Sequence, residues 1–128
     1  MKTVIHNLVK LIPCLVFVIG IFSAANVLAH NTLVSTLPVD KAVLHAAPTE
    51  IRLVFSDATY LVSLSVMNAE GIDVLQAFEP APEGANSFTV DLPASLEQGL
   101  YHVSWAVVGD DTHRVPGEFS FSVNAEAE

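Results

Sequence analysis

The sequence predicts an all-β domain, a seven-stranded Greek-key β-sandwich or barrel of immunoglobulin-like size. Three observations predict it. After residue 30 no stretch of useful length carries the apolar period of a helix, and apolar and polar residues instead alternate over short runs. Gly, Pro, Asn and Asp punctuate these runs at close spacing. Seven such runs fit into about a hundred residues, which suits two packed sheets around one core.

The elements follow in order. Thr32 to Thr36 reads as a first strand, stopped by Leu37-Pro38-Val39-Asp40. Ala46-Ala47-Pro48-Thr49 precedes Glu50 to Phe55, where Ile51, Leu53 and Phe55 alternate with Arg52 and Val54. Leu61 to Asn68 puts Val62, Leu64 and Val66 on one face and Ser63, Ser65 and Met67 on the other. Glu70-Gly71 is a hairpin-type turn into a strand over Ile72 to Ala77, and residues 79–84 form a Pro-rich loop. Ser87 to Leu92 alternates through Phe88, Val90 and Leu92. Gly99 to Val108 is the longest strand, with Tyr101, Val103, Trp105 and Val107 facing inward. Gly109 to Gly117 reads as a polar loop, and Phe119, Phe121 and Val123 form the inner face of the last strand.

Residues 1–29 have the form of a secretory signal peptide. Lys2 and Lys10 supply the positive region, Leu11 to Phe22 the apolar region, and Val27-x-Ala29 the cleavage signal. The apolar stretch of roughly 12 residues is short of the roughly 20 needed to span a bilayer. Cys14 lacks the small residues expected before a lipidated cysteine and would leave with the peptide. Cleavage after Ala29 predicts one exported domain over residues 30–124, an acidic tail over 125–128, and no membrane insertion. That mature chain has no cysteine, so it has neither a disulfide nor a thiolate ligand. Loss of Lys2 and Lys10 takes the net charge from −9 to −11, which argues against nucleic acid or an anionic membrane as partner.

The same cleavage would leave His30 as the first residue, where its α-amine and Nδ1 make a bidentate nitrogen chelate. Downstream, Asp110-Asp111-Thr112-His113 offers a carboxylate and a second imidazole. Asp111 and His113 are two apart, so an extended turn can present both in one direction, with Asp110 a possible substitute for Asp111. Nitrogen and carboxylate oxygen without sulfur suit Cu(II) best among first-row ions, and Zn(II) accepts the same donors tetrahedrally. His45 reads as a solvated turn residue. His102 falls on the face opposite Tyr101 and Trp105, as a surface or edge histidine. Either could add a weak extra ligand. Trp105 and the phenylalanines read as core by alternation.

His30-x-x-Leu33-Val34-x-x-x-Pro38 and Ala47-Pro48-x-x-Ile51-x-Leu53-x-Phe55-Ser56 resemble the opening of the CopC family of periplasmic copper-binding proteins. The resemblance continues through Tyr101-x-Val103-x-Trp105-x-Val107-Val108-x-x-Asp111-x-His113-x-x-x-Gly117-x-Phe119-x-Phe121-x-Val123. It implies a Greek-key β-sandwich that holds one Cu(II) per chain through His30, Asp111 and His113. Some members also bind Cu(I) through a methionine-rich loop. Here Met67 is the only methionine after residue 29, so no Cu(I) methionine site is expected. The resemblance also implies a possible CopD-type inner-membrane partner, which would be a separate chain.

The resulting expectation is a monomeric, non-catalytic periplasmic carrier or buffer of Cu(II) in copper homeostasis or resistance. Two rivals use the same residues differently. A histidine-brace copper oxidase of the polysaccharide monooxygenase type would need a flat aromatic surface. A metal-free exported immunoglobulin-like binding module would be indifferent to His30 and His113.

Overall fold

A computed structural model describes residues 32–124. The expected signal peptide over residues 1–29, His30 and the expected acidic tail over 125–128 lie outside the described residues. The all-β expectation holds: six strands form one curled sheet, and no helix occurs among the described residues. They are β1 (Leu33–Leu37), β2 (Ala42–Leu44), β3 (Glu50–Met67), β4 (Ala85–Asp91), β5 (Gly99–Val108) and β6 (Arg114–Val123). The sheet order is β1-β3-β5-β6-β2, with β4 also paired to β3.

β3 organises the domain. Its first half pairs with β1 and β4, and its second half pairs with β5. The two strands expected over 50–55 and 61–68 are therefore one 18-residue strand. Register breaks between Val54 and Thr59, and again between Leu61 and Ser63, let it bend from one side of the core to the other. The second break also corrects the expected face. Leu61, Leu64 and Val66 are buried and Val62 is only half-buried, because one extra residue shifts the alternation.

Three further differences have local causes. The expected strand over Ile72 to Ala77 shrinks to a single bridge between Met67 and Asp73. There the Asp73 carboxylate accepts hydrogen bonds from the Val66 and Leu75 N–H groups, so a side chain takes the place of a backbone ladder. β2 had no clear periodic signal. It lies parallel to β6, held by Lys41 N–H on Ser120 O at 2.6 Å, Asn124 N–H on Leu44 O at 2.8 Å and Ser120 N–H on Asp40 Oδ1 at 3.1 Å. The loop expected over Gly109 to Gly117 is shorter, because pairing of β5 with β6 begins at Val108 and Arg114. Pro116 and Gly117 look like chain breakers in sequence but sit within this ladder, opposite Ala106 and Trp105.

The core lies between the two halves of the sheet. Ile51, Leu53 and Phe55 enter from one side, and Leu61, Val66, Val103, Val107 and Phe121 from the other. Phe55 joins them, meeting Trp105 edge-on at 5.1 Å and Phe88 at 6.2 Å between ring centroids. Tyr101 stacks on Phe121 at 5.2 Å. Trp105 also lies against the backbone of Gly117, where an added Cβ would come within 2.1 Å of the indole. Only glycine allows that approach.

Candidate metal centre

The β5–β6 connection spans Gly109 to His113 and turns tightly. The Thr112 N–H donates to Gly109 O at 3.0 Å, and Thr112 adopts φ 63°. That left-handed residue reverses the chain between Asp111 and His113 and brings both side chains to one side. The His113 backbone N–H donates to Asp111 Oδ1 at 3.2 Å, while His113 Nδ1 lies 3.1 Å from Asp111 Oδ2.

Those contacts fix the electrostatics. The hydrogen bond with the His113 ring, then the one from its backbone N–H, holds the Asp111 carboxyl below the ordinary aspartate range. An ionised Asp111 accepts a hydrogen bond from His113 Nδ1–H, and in the neutral ring that tautomer leaves Nε2 with the open lone pair. Both side chains are substantially exposed, His113 at 74% and Asp111 at 46%, so an ion from solvent can reach either.

The pair can meet a metal in two ways. His113 can bind through Nε2 while Asp111 orients the ring from behind, as carboxylates commonly do for ligating histidines. Alternatively, Nδ1 gives up its proton and both groups bind. Two donors 3.1 Å apart, each roughly 2.0–2.1 Å from an ion, subtend about 95–100° at it. This lies between the angle of about 90° for adjacent positions of a tetragonal complex and the tetrahedral angle of about 109°, so the spacing accommodates either geometry.

Asp110 is exposed and takes no part in the pair. Among the described residues, no three His, Cys, Asp or Glu side chains gather at one point, so the centre is a two-residue half-site there. His30 lies outside the described residues. The start of the described chain is nonetheless informative. Thr32 N–H donates to Ser56 Oγ at 3.1 Å, and Ser56 N–H donates to Thr32 O at 2.9 Å. Along the same stretch of β3, the buried Thr59 hydroxyl donates to Val108 O at 2.9 Å, and Tyr60 pairs with Val108. The beginning of β1 and the base of the Asp111–His113 turn thus converge on the bend of β3.

His45 is exposed after β2, in keeping with a solvated residue. His102 is an exposed residue on the outer face of β5, as its alternation indicates. Its Nε2 lies 3.0 Å from Glu118 Oε2 on β6. This contact is not legible in the sequence, since 16 residues separate the two and only the β5–β6 register joins them. The Arg114 guanidinium donates to Ser63 Oγ at 3.1 Å, tying the first residue of β6 across to β3.

Comparison with known proteins places the fold in a family. A model of the CopC domain family matches residues 33–124. The chain is 32% identical over 117 residues to copper resistance protein C of Xanthomonas campestris pv. juglandis, covering 84% of this chain and 91% of that protein. It is 32% identical over 110 residues to copper resistance protein C of Escherichia coli, covering 78% and 86%. Among solved structures, CopC from Methylosinus trichosporium OB3b superposes with a TM-score of 0.63 at 25% identity, over 77% of this chain and 98% of that one. The methionine-rich copper resistance protein PcoC from Escherichia coli matches with a TM-score of 0.50 at 26% identity, over 75% and 100%. With a family model matching nearly all the described residues and relatives at 32% identity over most of their length, the chain belongs to the CopC family.

Proposed function

We propose that this protein is an exported, non-catalytic carrier or buffer of Cu(II), holding one ion through His30, Asp111 and His113. The observation that carries the reading is the Asp111–His113 pair, whose two donors stand 3.1 Å apart on one exposed turn. Cleavage after Ala29 would supply the remaining nitrogens as the α-amine and imidazole of His30. Thr32, two residues on, is bonded to the bend of β3 that also supports the base of the turn, and two residues of extended chain reach about 7 Å. Relatives named as copper resistance proteins support copper as the cargo, and the expected signal peptide over residues 1–29 supports export to the periplasm.

The donor set favours the divalent ion. Two imidazoles, an amine and a carboxylate are borderline-to-hard donors, and an anionic ligand disfavours reduction to Cu(I). Non-catalytic binding fits the aromatic residues as well. Among the described aromatic residues Phe55, Phe88, Tyr101, Trp105, Phe119 and Phe121 are buried and Phe78 is half-buried, which leaves Tyr60 alone exposed, too little for a flat outer platform for a polysaccharide.

Mass spectrometry of the exported protein with and without Cu(II) tests the reading. The expected result is a chain beginning at His30 that takes up one copper. A variant processed to carry one additional residue ahead of His30 should lose most of its Cu(II) affinity, because the amine ligand becomes an amide. Full affinity in that variant would overturn the proposed ligand set.

A further inference from the structure

We infer that the outer face of the β5–β6 hairpin carries a second, weaker site for a divalent transition-metal ion, built on His102 and Glu118 with Met67 beside them. His102 Nε2 and Glu118 Oε2 lie 3.0 Å apart on adjoining strands. His102 pairs with Ser120 and Ser104 pairs with Glu118, so the two are diagonal neighbours on one face of the sheet. Met67 stands directly opposite His102 on β3 and adds a thioether to the same row. Donors 3.0 Å apart subtend roughly 90–95° at an ion about 2.0–2.1 Å from each, which suits adjacent positions of a tetragonal complex.

The arrangement is preorganised in a way that a pair of mobile surface side chains is not. The backbones carrying His102 and Glu118 are fixed by continuous β5–β6 pairing from Gly99↔Val123 to Val108↔Arg114. Both side chains keep large exposure, 49% and 70%, leaving the other coordination positions to water. The basic residue on this face of β6, Arg114, is engaged with Ser63 and does not pair with Glu118. Where the ring donates Nε2–H to the Glu118 carboxylate, metal entry at Nε2 requires that proton to move to Nδ1 or to solvent, which exposes the Nε2 lone pair. A site with one imidazole, one carboxylate and a neighbouring thioether has fewer anchoring nitrogens than the proposed primary site and should fill after it.

Titration of the 15N-labelled exported protein with Cu(II) past one equivalent tests this, since the paramagnetic ion broadens nearby amide signals. Beyond the first equivalent, signals of Met67, His102 and Glu118 should broaden. The His102→Ala protein should lose this second-stage broadening while its first-stage behaviour is unchanged. Glu118→Gln, which keeps the shape and hydrogen-bonding capacity, should need several-fold more Cu(II) for the same broadening. In His113→Ala the broadening at Met67, His102 and Glu118 should persist, because the two sites share no donor; failure of the primary site is thereby read separately. Absence of second-stage broadening at these residues, or its persistence in a folded His102→Ala protein, would overturn the inference. Should His102→Ala fail to fold, an unchanged response in Glu118→Gln would overturn it equally.

Discussion

Two histidine–carboxylate pairs occupy one hairpin with nearly the same donor spacing, 3.1 Å for Asp111–His113 and 3.0 Å for His102–Glu118, yet they are built by different means. The first is local. One left-handed residue, Thr112, folds a three-residue segment back on itself, and the carboxylate also accepts the His113 backbone N–H. The second is non-local, a diagonal contact across two strands whose spacing follows from register alone. The turn pair can reorient to meet an incoming ion and a ligand from elsewhere in the chain. The strand pair is held where the sheet puts it. Equal distances between donors therefore do not imply equal capacity: the proposed primary site can gather further ligands, whereas the strand pair must bind with what its face already presents.

The largest expected effect is on the turn. His113→Ala should weaken Cu(II) binding by more than ~100-fold, since even removal of a residue that only orients a ligand can cost 10- to 100-fold. Competition against a chelator of known strength would measure it. Binding in His113→Ala indistinguishable from wild type would erase the distinction drawn between the two pairs.

Next in size is a test of the hairpin that both pairs share. Gly117→Ala should destabilise the fold by about 1–3 kcal/mol, because the added Cβ would fall 2.1 Å from the Trp105 ring and force the strand or the indole to move. Chemical denaturation followed by the fluorescence of Trp105, the sole tryptophan, reads this directly. The same variant should disturb the His102–Glu118 pair more than the turn, since only the former depends on register alongside residue 117.

Acidity separates the pairs further. The folded-state pKa of Asp111 is lowered, so its contribution to stability is present above the unfolded value and is lost as pH falls through the folded one. Unfolding profiles of wild type and Asp111→Asn should therefore differ at neutral pH, begin to converge as pH falls through the ordinary aspartate value of about 3.9, and meet only below the lowered folded value. Copper release on mild acidification should then follow protonation of the nitrogens, including an α-amine with a reference pKa of about 7.7–8.0, and not of Asp111. Wild-type affinity that stays flat from pH 8 to about pH 5 would argue against the amine as a ligand.

The smallest effect belongs to Glu118→Gln in the absence of metal. An exposed cross-strand pair contributes little, so stability should change by less than about 0.5 kcal/mol. A much larger loss would show that the pair is a structural tie, and would weaken its reading as a metal site.

Much of this was legible before any coordinates, for reasons that differ by residue. The limits of β5 and its inward Tyr101, Val103, Trp105 and Val107 follow from alternation alone, since side chains on successive strand residues point to opposite faces. Asp111 and His113 were visible because both sit in one short polar segment. Gly117 was not read correctly. A glycine after a proline looks like a loop, and its need for the close approach of Trp105 becomes apparent only when the opposite strand is in place. Likewise β2 is three residues long and takes its stability from β6, some 80 residues away.

The sequence by itself determined an all-β chain, its inward aromatic residues and the Asp111–His113 pair, because each depends on neighbours within a few residues. The tertiary structure decided the bend of β3, the shift of inward face between Leu61 and Leu64, the early start of β6, the meeting of His102 with Glu118, and the convergence of Thr32 and Val108 on one strand. All of these are matters of strand register, and register is fixed by the simultaneous fit of distant side chains into one core, which no local window of sequence contains.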